Sequence, residues 1–383
     1  MAKLSDIFTL QMGKTPARAK DEYWNNGDNN WVSISDLSTY NKYVGDTKET
    51  ISDLAVKDSG IKPVPADTVI MSFKLTLGKT AITVKPTFTN EAIMAFIPNG
   101  NYPVCPSYFY HFFGGRDWSK GTNRAVMGVT LNKATLGEID VATPSLEEQT
   151  KIAEHLDRVD ELISYRKQQL SKLDELVKSR FIEMFGDPVR NEKGWPMVTL
   201  GDVAEIRIGP FGTLLHKEDY IIGGHPLVNP SHIIDGKIMT DEKLTITDEK
   251  FEELSAYHLS VGDVVLGRRG EMGRCAVVFE EGLLCGTGSM VIRPNEKMKP
   301  YFLQNIISNP TYKKIIEDKA VGVTMLNLNV PIVSALAIPQ LPIDMQEQFI
   351  EFMHQTDKLK FEVKEALEKL EILKKSLMQQ YFG

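Results

Sequence analysis

The stretch KLDELVKSRFIEMFG at residues 172–186 is answered by KLEILKKSLMQQYFG at residues 369–383. The two share their leucine spacing, a Lys-Ser pair and a closing Phe-Gly, so one helical pattern is written twice. Self-similarity at a long period is sought before any motif, because it settles how many units the chain encodes. Working outward, LSDIFTL from Leu4 is matched by LGDVAEI from Leu200, and WVSISDLS from Trp31 by PLVNPSHI from Pro226. PADTVIMSFKLTLGKTAI from Pro65 matches SVGDVVLGRRGEMGRCAVV from Ser260 once one residue is inserted. IPN at Ile97 pairs with RPN at Arg293, and GVTLN at Gly128 with GVTMLN at Gly322. The order is the same in both halves, at a period of about 196 residues. Chance does not produce that order, so the chain is an internal duplication.

Each copy opens with mixed sequence in which DTVIMSF, TAITV, DVVLG and CAVVF read as short strands broken by Gly and Pro, the signature of a compact α+β domain. A long helix follows. Ser145 with Glu148, and Asp344 with Glu347, carry the S/D-x-x-E capping pattern behind a proline. In the first helix Ile152, Leu156, Val159, Ile163, Arg166, Leu170, Leu173 and Val177 recur at steps of 4 and 3. In the second, Phe349, Phe352, Thr356, Leu359, Val363, Ala366, Leu370, Leu373 and Leu377 do the same. That is the seam of a coiled coil; the competing reading lays each helix on its own domain. The seam predicts that Leu156, Ile163, Leu170 and Leu173 meet Leu359, Val363, Leu370 and Leu373.

The Gly-, Pro- and charge-rich FGDPVRNEKGWP at 185–196 reads as a connector. The expected organisation is a domain over 1–143, a spacer helix over 144–187, a connector and second domain over 188–341, and a second spacer helix over 342–383. The second helix returns antiparallel to the first. An approximate internal two-fold axis then relates two domains at opposite ends of a helical bar.

A chain of 383 residues has room for two or more domains. Its first residues, MAKLSDIFTLQMGK, lack a basic head and apolar run, and no stretch approaches the roughly 20 apolar residues of a membrane span, so a cytoplasmic protein is expected. Cys105, Cys275 and Cys285 show no CxxC spacing and predict neither a disulfide framework nor a zinc site. The net charge of -7 argues against coating nucleic acid by bulk electrostatics. Residues 1–143 carry 15 Lys+Arg against 14 Asp+Glu, whereas residues 199–341 carry 14 against 18. Any DNA contact must be local and aimed.

No catalytic arrangement stands out. LTLGKT at Leu75 lacks the earlier glycine of a P-loop, where Phe73 stands. VNPSH at Val228 only faintly echoes a methyltransferase signature, and the seven histidines show no metal-binding spacing. What remains are Gly-flanked basic loops at equivalent points of the repeat. SFKLTLGKT presents Lys74 and Lys79, and GRRGEMGR presents Arg268, Arg269 and Arg274. Arginine can bond guanine O6 and N7, and lysine guanine or phosphate; the alternative is a solvated turn between strands. Two adjacent arginines are costly to bury unpaired, so exposure at a domain tip is expected. Thr130, Asn132, Thr324 and Asn327 would either cap a turn or reach a base or phosphate. Lys14 and Arg18 complete the candidate set.

GKTPARAKDEYWNNGDNNWVSISDL, SVGDVVLGRRGEMGRCAVV, ATPSLEEQTKIAEHLDRVDELI and LPIDMQEQFIEFM, in this order, resemble the specificity subunit of type I restriction-modification systems across essentially the whole chain. The resemblance implies two tandem target recognition domains, each reading one half of a split double-stranded DNA target. It also implies an antiparallel helical spacer that docks two methyltransferase subunits, with translocating endonuclease subunits joining them. By the same resemblance the chain is non-catalytic and holds no cofactor. S-adenosylmethionine, ATP and Mg belong to the partners, and no membrane is involved. Two alternatives stay open: the equivalent subunit of a type IIB-like system, and a coiled-coil scaffold that binds proteins rather than DNA.

Overall fold

A computed structural model describes residues 1–74, 76–118, 131–322 and 326–383. The chain forms two compact units, one of residues 1–168 with 364–383, the other of residues 169–363.

In the first unit an antiparallel sheet runs in the order Phe8–Met12, Ile93–Pro98, Val69–Ser72, Thr80–Ile82. Alternate residues face opposite sides of a strand, and both sides here are covered. Phe8, Leu10, Val69, Met71 and Phe96 pack with Phe109 and Phe113 of the helix Pro106–Gly115, while Ile70, Ala81, Ile93 and Ala95 pack on Val32, Leu37 and Val44. A smaller sheet, Glu49–Ile51, Trp24–Val32, Phe88–Thr89, closes over Trp24, Trp31 and Ile51. Ala2–Lys3 pairs with Asp140–Val141.

The second unit repeats this element by element. Its main sheet runs Ala204–Ile208, Ser289–Pro294, Val264–Gly267, Cys275–Val277; its smaller sheet runs Thr245–Ile246, His225–Val228, Leu284–Cys285; Met197–Thr199 pairs with Ala337–Pro339. The registers correct one expectation. Val69 pairs with Ile82 and Val264 with Val277, so no residue is inserted in that hairpin. The one-residue shift falls between Ile82 and Phe88, because Ser72 pairs with Ile93 but Gly267 with Ser289.

The two long helices are Leu146–Phe185 and Ile343–Phe382, 40 residues each, about 60 Å at the α-helical rise. Ser145 and Glu148 form the expected capping box, the Ser145 N–H donating to the Glu148 carboxylate at 2.9 Å and the Glu148 N–H to Ser145 Oγ at 3.3 Å. Asp344 and Glu347 do not: Asp344 already lies inside the helix, and Glu347 pairs with Lys299 at 2.6 Å. The starting device shared by both copies is a buried glutamine. Gln149 accepts from the Cys105 N–H and donates to the Pro103 and Pro144 carbonyls; Gln346 accepts from the Lys299 N–H and donates to the Lys297 and Leu341 carbonyls.

The helices pair antiparallel within each unit. In the first, His155 meets Tyr381, Asp160 meets Lys374 at 2.5 Å and Lys167 meets Glu371 at 3.6 Å. In the second, Asp174 meets Lys360 at 2.8 Å and Phe181 meets Phe349, with ring centroids 5.4 Å apart. In the first helix Leu156 and Val159 are buried and Ile163, Leu170 and Leu173 half-buried. The second helix corrects its prediction. Leu359 is 50% exposed and Leu373 45%, while the sheltered track is Phe349, Met353, Thr356, Lys360, Val363, Leu367, Leu370, Lys374 and Leu377. Both lysines are half-buried, and their ammonium groups reach Asp174 and Asp160, as long side chains do when the charged head alone seeks a polar partner.

Candidate nucleic-acid interface

The basic loops sit at one structural place in each unit. The Ser72 N–H donates to the Lys79 carbonyl and the Gly267 N–H to the Arg274 carbonyl, each at 2.8 Å. Both hairpins turn through a left-handed glycine, Gly78 at φ 79° and Gly273 at φ 73°. This register makes Arg268 the counterpart of Phe73, Arg269 of Lys74 and Arg274 of Lys79.

Their surroundings differ sharply. Lys79 is exposed and lines a cavity of 360 Å³ with Tyr40, Asn41 and Tyr110. Lys74 is half-buried beside the Phe73 ring. Arg269 is exposed, whereas Arg274 is tied to the Glu271 carboxylate and to the Pro230 carbonyl at 3.2 Å. Hydrogen bonding from Arg274 holds the Glu271 carboxyl below its usual range. Arg268 overturns the expectation of an exposed arginine pair: it is 8% exposed, and its Nε has no hydrogen-bond partner. Burial, and then the neighbouring Arg269 charge, lower its pKa. Its backbone is held on both sides, the Leu328 N–H donating to its carbonyl and its own N–H to the Gly288 carbonyl, each at 3.0 Å.

The other candidates separate in the same way. Arg18 is committed internally: its guanidinium lies 3.7 Å from the Trp24 ring centroid and makes two bonds to Glu49. Lys14 is exposed, and its ammonium group rests on the Ser59 carbonyl. Asn132 is a helix cap, accepting from the Thr135 N–H at 2.9 Å. Its structural counterpart is Asn329, which accepts from the Ile332 N–H, and not Asn327 as the sequence match suggested. Asn327 instead bridges Arg269 and Val321 through its backbone, and its Oδ1 is buried without a partner. Thr130 and Thr324 lie outside the described residues. Sequence reasoning missed Ser289, whose buried Oγ also lacks a partner; its signal was Ile93, the apolar residue at the same point of the repeat. Among the described residues no three His, Cys, Asp or Glu side chains converge as a metal site, and no helix is long and apolar enough to cross a membrane.

A duplicated domain bearing dissimilar loops on matching strands invites comparison with known proteins. The family model of the type I restriction modification DNA specificity domain matches residues 1–175 and again 192–373. The chain belongs to this family. The MjaIX type I restriction enzyme specificity subunit of Methanocaldococcus jannaschii is 30% identical over 256 residues, covering 61% of this chain and 58% of the relative. The EcoR124I/EcoR124II specificity subunit of Escherichia coli is 29% identical over 187 residues, 46% of this chain and 45% of the relative. The matches thus span about half of these subunits' length. The fold is shared more widely. A chain from a structure addressing complex assembly and conformational transition of the type I restriction-modification system superposes with a TM-score of 0.66 at 16% identity, over 99% of this chain and 96% of that one. The S subunit of M. genitalium gives 0.56 at 14%, over 100% and 95%.

Proposed function

We propose that this protein is the sequence-reading subunit of a type I restriction-modification complex in the cytoplasm, each recognition domain reading one half of a bipartite DNA target. The observation that carries the reading is the pair of equivalent hairpins. Their backbone bonds agree while their side chains change from Phe73-Lys74 to Arg268-Arg269, as two readers of different sequences require. The net charge of -7 fits a subunit that borrows phosphate contacts, the dominant source of affinity, from its partners. Two methyltransferase subunits would dock on the helices, where Leu359 and Leu373 leave apolar surface outside the seam, and endonuclease subunits would join through them. Adenine methylation with S-adenosylmethionine, and ATP- and Mg-dependent translocation and cleavage, are then partner chemistry.

The test is a domain exchange. Residues 1–143 are replaced by those of another family member, the chimera is co-expressed with the methyltransferase subunit, and methylated adenines are mapped across the host genome. One half of the methylated motif should change and the other stay. Simultaneous change of both halves, or no sequence-dependent methylation by the wild-type pair, overturns the reading.

A further inference from the structure

A loop beside the basic hairpin of the second unit leaves one large apolar side chain in the open. It begins with Gly209 and Pro210, both buried, and ends with Leu214 and Leu215, which pack against the cluster of Leu227, Ile246 and Phe251. Between them Phe211 is 56% exposed. An exposed apolar residue is ordinary in itself; this one is set apart by how and where it is held. The Gly209 N–H donates to the Ser289 carbonyl at 3.0 Å, and a Cβ on Gly209 would stand 2.1 Å from the Gly286 carbonyl oxygen, so glycine alone allows this approach. Past Phe211, Gly212 turns the chain at φ 66°, and the Leu214 N–H donates to the Phe211 carbonyl at 3.4 Å. Strand register then places the loop. Ile208 and Leu266 both pair with Met290, and Gly267 pairs with Ser289, so the loop of Phe211 and the hairpin of Arg269 leave the sheet at the same end, on either side of Ser289–Pro294. Two strand spacings, about 10 Å, separate their roots, the length of roughly three base pairs. Arg269 is exposed, and its side chain has no hydrogen-bond or ion-pair partner among the described residues. The first unit does not repeat this. Gly13 matches Gly209 in donating to the Ile93 carbonyl, but two residues on stands Thr15, hydrogen-bonded to Glu91, and Lys74, the counterpart of Arg269, is half-buried.

We propose that Phe211 reads a thymine methyl group in the second unit's half-site, within a few base pairs of the position reached by Arg269, an inference that rests on the DNA-recognition role argued above. A phenyl ring carries no donor or acceptor, so hydrogen-bond readout is closed to it. Base edges in the major groove offer donors, acceptors and a single apolar group, the C5 methyl of thymine. Phosphates ask for cations and give a ring nothing. Insertion between base pairs proceeds from the minor groove and kinks the duplex, whereas an unpaired arginine at the same end of the sheet suits guanine O6 and N7 in the major groove. The clamped root matters as well, because a loop already ordered loses little conformational freedom when it docks.

The test removes the methyl group from the DNA and the ring from the protein. Methyltransferase complexes are assembled with wild type, Phe211→Ala and Phe211→Leu. Their substrates are duplexes carrying the motif mapped in the host genome, with each thymine in turn replaced by uracil, which keeps every hydrogen-bonding group and lacks only the methyl. The domain exchange described above assigns one half-site to the second unit. At one thymine of that half-site, uracil should slow methylation by the wild-type complex roughly three- to tenfold. Phe211→Ala should lose at least as much on the thymine duplex and no longer distinguish uracil there, while Phe211→Leu keeps part of the distinction. Because the ring is exposed, both variants should melt at the wild-type temperature. Indifference of the wild-type complex to every replacement overturns the proposal, as does a second half-site without an A·T pair. So does a Phe211→Ala complex that responds to uracil as wild type does; a uniform loss on all duplexes with that response kept marks an insertion or a protein contact instead. A lowered melting temperature with the uracil response intact assigns the ring to the fold alone and also overturns it. A wild-type complex with no sequence preference would bring down the functional reading itself, which none of the other outcomes does.

Discussion

Gln149 and Gln346 are 0% exposed, and each satisfies one backbone N–H and two carbonyls at the point where a domain hands the chain to its helix. A glutamine amide is suited to the task because it carries a donor and an acceptor on one planar group. Truncation leaves three backbone groups without their partner, most of them part-buried, and each such group costs about 1–3 kcal/mol where water cannot reach it. Gln149→Ala and Gln346→Ala should therefore each lower stability by about 3 kcal/mol, discounted for partial rehydration, as read by chemical denaturation of the full chain. Losses below about 1 kcal/mol would show that these helix starts are held by packing alone. The sequence pointed to this site obliquely. The S/D-x-x-E pattern drew Asp344 and Glu347 into a false match with Ser145 and Glu148, two residues out of step with the glutamines, because a surface capping motif is short and recurs by accident. What aligns the two helix starts is a buried residue whose partners are backbone atoms, and such partners leave no mark in the sequence.

The same slip of register, at the scale of an element, explains the second helix. Two tracks with 4-3 spacing run along it. Judged by apolarity alone, the track through Leu359 and Leu373 is better than the one through Lys360 and Lys374, yet the lysine track is sheltered and the leucines stand out. The repeat contained the answer: displacing Ile152, Leu156, Val159, Ile163, Arg166, Leu170, Leu173 and Val177 by 197 residues lands on Phe349, Met353, Thr356, Lys360, Val363, Leu367, Leu370 and Lys374. Strand runs, domain duplication and helix pairing were thus legible because periodicity and repetition are properties of the chain itself. The seam's polar members and the buried Arg268 were not, since whether a long cationic side chain lies in or out depends on the carboxylates and backbone it meets. Val363 is 6% exposed, so Val363→Asp buries a carboxylate without a partner and should cost about 3 kcal/mol or more. Leu359→Asp should fall within about 0.5 kcal/mol of wild type in thermal or urea unfolding. The opposite ranking would restore the leucine track as the seam.

At the scale of the molecule, the displaced seam means that each long helix carries the complement of the other, and hence a complement to a second copy of itself. In the first unit the segment 364–383 supplies Phe382, which packs on Tyr108 and Phe112 with ring centroids 5.2 and 5.7 Å away. Its counterpart within the first half of the chain is 167–186, where Phe185 matches Phe382. Lys360 and Lys374 correspond to Ile163 and Val177, so a self-pair of the first helix would give up two ion pairs and gain an apolar seam interrupted only by Arg166. Exposed ion pairs contribute about 0–1 kcal/mol each, whereas burying an aliphatic side chain contributes about 1.5–3 kcal/mol, and the exchange favours association. A protein comprising residues 1–187 should therefore form a two-fold homodimer in which each copy's 167–186 takes the place of the missing 364–383. Its mass by light scattering at micromolar concentration should be twice that of the chain, and Leu170→Asp should return it to monomers. A folded monomer over that range would show that the second helix holds the first by contacts the repeat does not share.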